Sequence, residues 1–485
     1  PQTSSIRYGT SATYFRGSVV GLFGQDDWRI LPNLSLNAGL RYEYITPLTE
    51  KYGHIANLDI APYFTGAAPV IPGESGPYTG AFPRSLIDPE HHDFAPRIGL
   101  AWKPMPKRSM QIRAGYGLYY VPNAYNQLAN LMASQPPWST ANQLSTSLDG
   151  VLTLATGFTL TPPGKTVTNT AAVDRYYRLP YADSWSFSIQ QDLPAAMVLE
   201  VGYRGTKGTR LNIERSPNSA PPGSPLTAEQ RRQIGNAVGF TYLSSDGNSI
   251  YNSLQVRLMR RFRRGVSFNM QYTLAKSIDD SSTFGGAGNT VAQDPNDLAA
   301  ERGLSSFDQR HKLNVSMVWT SPVGGTNGLL AGRPWAERLL KDWQLSGGMT
   351  VASGTPLTAR VLGNRSDSGG TGTVGAGRAE ATGLPVTDGS GFFNPAAFTL
   401  PPAGFYGNAG RNTIPGPGTF SLNATFGRSI DLGERKRLEF RVESNNLTNH
   451  VNYANLQTVI NATDYGLPLA ASVMRTMQAV VRFRF

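Results

Sequence analysis

The chain has 485 residues, with 44 Lys+Arg against 33 Asp+Glu, a formal charge of +11 and no cysteine. Charged residues make up only 16%, against about 25% in an ordinary soluble domain, and no stretch reaches the roughly 20 apolar residues of a membrane-spanning helix. A helical membrane protein, a disulfide framework and a thiolate metal site are thereby excluded, whereas a wall of strands is not, because its lipid-facing residues alternate with water-facing ones.

The chain opens on Pro1-Gln2-Thr3-Ser4-Ser5, without an initiator Met or a charged-then-apolar export signal, so the expectation is a processed or truncated start. The first strand is expected over about 18–31; it is untidy, because the face carrying Leu22, Trp28 and Ile30 also carries Asp26. Over 33–45, Leu34, Leu36, Ala38, Leu40, Tyr42 and Tyr44 oppose Ser35, Asn37, Gly39, Arg41 and Glu43. Over 109–120, Met110, Ile112, Ala114, Tyr116, Leu118 and Tyr120 oppose Gln111, Arg113, Gly115 and Gly117. Trp185, Phe187 and Ile189 interleave with serines, and the same beat returns at 266–274, 313–319, 420–426 and 438–442. It closes on Met477, Ala479, Val481, Phe483 and Phe485, opposed by Thr476, Gln478, Val480, Arg482 and Arg484. About thirteen segments share this period of two, the signature of half-buried strands.

A soluble sandwich alternates too, so three further features decide. Apolar faces often end in aromatics (Tyr42/Tyr44, Trp102, Tyr116/Tyr120, Phe483/Phe485), as interfacial girdles do. The strands run to roughly 10–13 residues, where soluble sheets average about 5–6 and a tilted membrane strand needs about 9–11. Finally, tight turns at 31–33, 104–107, 192–194, 264–265 and 432–434 alternate with long polar stretches near 48–92, 122–181, 207–249, 278–307, 354–417 and 448–472. Short periplasmic turns and long external loops characterise outer-membrane barrels. The intermediate connection at 322–340 contains Pro334-Trp335-Ala336-Glu337-Arg338-Leu339-Leu340, read as a helical turn on the periplasmic side. The fold expected is therefore all-β: an antiparallel transmembrane β-barrel with 13–14 strands visible. Counting back from a last strand that descends to Phe485, the first also descends. Since a closed bacterial barrel has an even strand number, an upstream strand is expected to be absent or hidden in residues 1–17.

Several phrases resemble the barrel of TonB-dependent outer-membrane receptors of the Oar-like group. They include Phe23-Gly24-Gln25-Asp26-Asp27-Trp28-Arg29, Phe94-Ala95-Pro96-Arg97-Ile98-Gly99-Leu100-Ala101-Trp102, Tyr251-Asn252-Ser253-Leu254-Gln255 and Asp308-Gln309-Arg310-His311. Asp342-Trp343-Gln344-Leu345-Ser346-Gly347 and Phe440-Arg441-Val442-Glu443-Ser444-Asn445-Asn446-Leu447-Thr448-Asn449 continue the series in order. The resemblance implies a barrel of about 22 strands with a plugged lumen, of which residues 1–485 would be the C-terminal part, with the plug and the regulatory-like N-terminal domain lying outside this chain. It further implies a Gram-negative-type outer membrane, contact with its lipid and lipopolysaccharide, and a TonB complex engaged through N-terminal parts. The barrel-assembly machinery would read the terminal Phe485 and Phe483, on a last strand suited to β-augmentation.

The five histidines are His54, His91, His92, His311 and His450; adjacent His91 and His92 point to opposite faces of a strand, so no metal site is expected. Asp279-Asp280 and Asp294-Pro295-Asn296-Asp297 match no EF-hand spacing and are read as a solvated loop. Gly285-Gly286-Ala287-Gly288 and Gly369-Gly370-Thr371-Gly372-Thr373 lack the Lys and flanking elements of a phosphate cradle. Glu439 and Glu443 sit among arginines as a salt-bridged wall. Neither catalysis nor a cofactor is expected, and the scattered arginines read as a wet barrel wall rather than a nucleic-acid surface. The function expected is energy-coupled uptake of an unidentified ligand; a structural or adhesive surface protein and a passive porin share the same wall. Ligand contacts are expected from loop residues Tyr63, Phe64, Tyr78, Trp138, Tyr176, Tyr177, Phe392, Phe393, Phe405 and Tyr406.

Overall fold

A computed structural model describes the chain except residues 1–2, 10–11, 106–108, 146–152, 156–163, 224–226, 281–291, 324–332, 364, 369–376, 390 and 434–435. Both glycine-rich phrases and parts of the turns at 104–107 and 432–434 lie outside the described residues. Thirteen long strands form one antiparallel meander in chain order. They are β1 (Val19–Leu31), β2 (Leu34–Ile45), β3 (Asp93–Trp102), β4 (Gln111–Tyr120), β5 (Tyr181–Leu193), β6 (Met197–Arg215) and β7 (Thr241–Arg263). The series continues with β8 (Val266–Asp279), β9 (His311–Thr320), β10 (Trp343–Ala352), β11 (Thr419–Asp431), β12 (Arg437–Asn445) and β13 (Thr476–Arg484). No helix of the described residues is long and apolar enough to cross a membrane.

The register converts the alternation into two chemically distinct surfaces. One unbroken row crosses ten strands: Leu34, Trp102, Ile112, Ile189, Val201, Val256, Tyr272, Leu313, Val351 and Phe420. The neighbouring row on the opposite face reads Ser35, Ala101, Arg113, Ser188, Gly202, Gln255, Thr273, Lys312, Ala352 and Thr419. A one-residue slip anywhere would exchange lipid for water along a whole strand, and this fixes the pairing. Each row starts at the periplasmic end of β2 and finishes at the external end of β11, so the strands are staggered as a tilted wall requires.

The apolar face is bare: Phe187 is 44% and Val481 67% exposed. Hydrocarbon covers such residues in a bilayer, each Leu, Val or Phe withdrawn from water contributing roughly 1.5–3 kcal/mol. The turns expected at 31–33 and 264–265 are tight, and the one expected at 192–194 falls between Leu193 and Met197. Arg264 and Gly265 both have positive φ (52° and 78°), the backbone of a two-residue hairpin in which glycine is favoured. Pro334–Leu340 forms the helix (α2) read from the sequence, between β9 and β10.

Three expectations need revision. The stretch 207–249 is not all loop, because β6 runs on to Arg215 and β7 begins at Thr241, so this hairpin projects beyond the membrane. Its tip strands bury Ile213 and Leu243 beneath the loops, but their apolar residues are too few to give a run of alternation. At the end of β1 the ladder jumps from Arg29 to Leu31 at a bulge, so Leu31 and not Ile30 stands opposite Leu34 and the regular alternation is interrupted at Ile30. No wall strand is hidden in the described part of residues 1–17. Thr3–Tyr8 pairs with Thr140–Ser145 and Phe15–Arg16 with Thr49–Glu50, both apart from the large sheet. Among the described residues, β1 and β13 each keep one unpaired edge.

Candidate ligand-binding face

The buried residues lie almost entirely in the external loops. The ten-residue helix α1 (Ala124–Ala133) buries Ala124, Leu128 and Met132 at four-residue spacing, with Tyr125 and Ala129 beside them. This face packs on Ile55, Leu86, Ile87, Leu179 and Leu243, which come from three different loops. A second cluster joins Leu58, Val167, Ile234, Phe240 and Tyr242, and a third joins Val361, Phe393, Phe398, Ile414 and Leu456.

Polar side chains clamp these loops together. Buried Asn57 donates to the Val173 carbonyl at 2.8 Å and accepts from its N–H at 2.9 Å. Arg411, fully buried, donates to the Glu301 carbonyl at 2.7 Å and pairs with Asp279 at 2.6 Å. Arg378 pairs with Glu301 at 3.4 Å, Arg231 with Asp367 at 3.4 Å and Arg175 with Asp88 at 3.1 Å. Gln293 donates to the Gly407 carbonyl at 2.9 Å. Asp279 is therefore part of a buried latch, which corrects the reading of a solvated acidic loop. Asp280 accepts from Asn248 N–H, Asp294 from Asn296 N–H and Asp297 from Ala300 N–H.

Glu50 anchors the N-terminal segment by accepting from the backbone N–H of Tyr14, Tyr52 and His54 at 2.9, 2.7 and 2.8 Å. Burial pushes its carboxyl up, but these donors outweigh it and hold Glu50 below the usual carboxylate range.

The ten loop aromatics divide by burial. Tyr63 is 91% exposed, and Tyr78, Tyr176 and Phe405 are also exposed. Asp59 fixes the Tyr78 loop by accepting from the N–H of Tyr78 and Thr79. Phe64 is half-buried, edge-on to Tyr242 at 5.2 Å. Phe392 is half-buried against Tyr453 at 5.1 Å. Tyr406 is half-buried, and burial pushes its hydroxyl up to about 12 although Ser368 pulls the other way. Tyr177 and Phe393 belong to the core, at 1% and 3% exposure. Trp138 sits 4.3 Å from His54, which continues to Tyr52 at 5.9 Å and Tyr14 at 5.8 Å, with the Lys51 ammonium 4.7 Å from the Tyr52 ring. Sequence reasoning missed all of this aromatic strip but Trp138, because its members are spread over more than a hundred residues without any period.

Beneath the loops, the water-facing wall is lined by Ser, Thr, Asn, Gln and Gly with scattered ions. Arg441 pairs with Glu443 at 2.7 Å and lies 3.8 Å from Glu439; Arg41 pairs with Glu43 at 2.5 Å. On the lipid side, Tyr203 donates to Asn252 at 2.6 Å and Tyr116 to Asp183 at 2.6 Å, polar ends suited to the interface. His91 stacks on Tyr44 at 4.9 Å. Among the described residues, no group of three or more His, Asp or Glu side chains is placed to hold a metal ion.

A lipid-facing strand wall, a hydrophilic inner surface and a folded external cap define an outer-membrane β-barrel. The chain belongs to the outer membrane beta barrel domain family, whose model matches residues 1–478. No curated protein matches it. Among solved structures it is similar to the siderophore receptor PiuA from Acinetobacter baumannii (10% identity, 97% of this chain, 44% of that one, TM-score 0.46). It is also similar to the outer membrane transporter YddB from Escherichia coli (12%, 97%, 55%, 0.47). A third is the ferric-catecholate import receptor Fiu from Escherichia coli K12 (13%, 97%, 45%, 0.44). The chain spans about half the length of each.

Proposed function

We propose that this chain is the greater part of the wall and the ligand-capturing face of a TonB-dependent outer-membrane receptor, which takes up its ligand at the cost of cellular energy. The observation that carries the reading is the cap: loops from six external connections share buried clusters and buried ion pairs. A passive pore gains nothing from a packed, preorganised outer face, whereas a receptor for a scarce ligand gains affinity from it. The family membership and the ordered Oar-like phrases support the same assignment.

On this reading a barrel of about 22 strands is completed by strands that cover the free edges of β1 and β13, because unpaired N–H and C=O groups are not tolerated in hydrocarbon. A plug gates the lumen and carries the TonB contact, while Phe483 and Phe485 present the last strand to the assembly machinery. Tyr63, Tyr78, Trp138, Tyr176 and Phe405 are the proposed first contacts of the ligand; Phe64, Phe392 and Tyr406 support them, and Tyr177 and Phe393 hold the loops from within.

The test is accumulation of labelled ferric siderophores, oligopeptides and oligosaccharides by the native host and by its deletion strain, with and without a protonophore. One cargo class should be lost on deletion and on collapse of the proton gradient. Uptake that survives the protonophore would assign a passive pore, and unchanged uptake of every class would favour an adhesive or structural protein.

A further inference from the structure

The formal charge of +11 is not spread evenly over the molecule. The short turns and the strand ends beside them, at 29–34, 102–111, 192–197, 260–266, 320–343, 428–437 and 482–485, carry 17 Lys and Arg against 5 Asp and Glu. The rest of the chain carries 27 against 28. The whole excess of positive charge thus lies on the periplasmic rim.

The rim is densest from β7 to β13, where the register joins its parts into one arc. Thr320 donates its N–H to the Gly265 carbonyl at 2.7 Å, and Ser321 donates to that of Trp343 at 2.8 Å. Trp343 stands opposite Arg428, Asp431 opposite Arg437, and Arg437 opposite Arg484. Six strand spacings of about 4.8 Å make this arc roughly 30 Å long. Arg261, Arg263, Arg264, Lys341 and Lys436 are exposed along it, while Asp431 is taken up by Arg437 at 3.6 Å.

Exposed apolar side chains alternate with these cations. Phe262 stands bare between Arg261 and Arg263, and Leu432 is bare in the turn that carries Lys436. Helix α2 follows Arg333 and precedes Lys341. It leaves Trp335 and Leu339, one helical turn apart, 54% and 62% exposed. Its C-terminal end is pinned to the lipid side of the wall. The Trp343 indole, stacked on lipid-facing Phe426 at 4.7 Å, donates to the Leu339 carbonyl at 2.8 Å. Arg428, its guanidinium 5.6 Å from the Trp343 ring, donates to the Lys341 carbonyl at 3.0 Å.

We propose that this rim, with α2 as its foot, is a docking surface for anionic phospholipids of the periplasmic leaflet. Its cations lie at headgroup depth and meet phosphate. Trp335, Leu339 and Phe262 enter the boundary of the acyl chains, as the apolar face of an interfacial helix does. A soluble acidic partner would meet the cations and leave these apolar side chains in water. A zwitterionic surface would cover the apolar side chains and leave the positive charge unneutralised. An anionic lipid surface satisfies both. The inference rests on the barrel wall and its orientation, not on energy-coupled uptake.

The experiment reconstitutes the full-length protein in phosphatidylcholine bilayers with a trace of spin-labelled phosphatidylglycerol or spin-labelled phosphatidylcholine. The motionally restricted fraction of each label is read, and heat-modifiable gel mobility certifies folding. Phosphatidylglycerol should be favoured about fivefold, falling below about twofold in the combined variant Arg261→Gln/Arg263→Gln/Arg264→Gln/Lys341→Gln. Arg84→Gln/Arg302→Gln, at exposed positions of the external loops, should keep the full preference. Trp335 emission, isolated by difference from Trp335→Phe, should be quenched more by brominated phosphatidylglycerol than by brominated phosphatidylcholine. Equal retention of the two labels, a preference that survives in the rim variant, or equal loss in the external one would overturn the proposal. An unquenched Trp335 would overturn it in favour of a soluble acidic partner. All of these readings are taken without cargo or proton gradient, so the surface and the receptor reading fail separately.

Discussion

The wall and the cap solve the problem of apolar residues in opposite ways. Along β1–β13 most apolar side chains face outward and stay exposed, touching at most their neighbours across the strands; in the loops they turn inward, and Ile55, Leu86, Leu128 and Ile414 are fully buried. The wall thus borrows its core from the bilayer, while the cap carries its own. A substitution should be felt according to which of these cores it touches.

The largest expected effect is in the cap. Arg411→Ala leaves Asp279 buried without its cation, a change worth about 3–5 kcal/mol. Limited proteolysis should then cut the loops at 281–307 and 353–418, while the heat-modifiable gel shift of the wall persists. Loss of both together would show that the two regions are one cooperative unit. Next comes Val256→Arg, in the middle of the apolar row, expected to cost about 2–4 kcal/mol and to reduce the folded, membrane-inserted fraction. Gln255→Arg, one residue away on the water-facing side, should insert normally, and equal failure of both would undo the assignment of faces.

A smaller effect is expected at Glu50. Glu50→Gln should weaken docking of the N-terminal segment by about 1.5–3 kcal/mol at neutral pH. Because the folded carboxyl is held below its ordinary 4.5, its contribution is present above that value and fades as pH falls through the lowered one. Hydrogen exchange at Tyr14 and Tyr52 should therefore converge between wild type and variant only in acid; convergence at pH 7 would contradict the anchor. The smallest is Tyr63→Ala. It should alter stability by less than about 0.5 kcal/mol and show only as weaker capture of the cargo found by the uptake assay.

The same contrast explains what was legible in the sequence. Strands whose lipid face is unbroken, such as those built on Leu313/Val315/Met317 or Phe420/Leu422/Ala424, announce themselves, because a single period determines each residue's surroundings. Where the wall leaves the membrane, as in the tips of β6 and β7, Ile213 and Leu243 turn under the loops, no lipid-facing row continues, and the period disappears. The cap has no period to read: its clusters draw single residues from segments a hundred or more positions apart. Tyr176 and Tyr177 are adjacent and identical in type, yet one is exposed and the other packs beside Tyr125. Phe392 and Phe393 divide similarly. Of the lumen arginines, Arg441 was legible with its partners, and the others were visible only as residues. The sequence itself sets Glu439 and Glu443 two residues either side of Arg441, whereas only the register shows that Arg97, Arg113 and Arg204 stand opposite glycine, alanine and serine.

Clamps such as Asn57–Val173, Gln293–Gly407 and Arg411–Asp279 each join connections that are remote in the chain. Heritable change in the outer surface is therefore channelled. Lengthening one connection would misplace the grip of another, so inherited variation should collect at exposed single positions such as Tyr63, and a new specificity is more readily acquired there than by exchanging a whole connection.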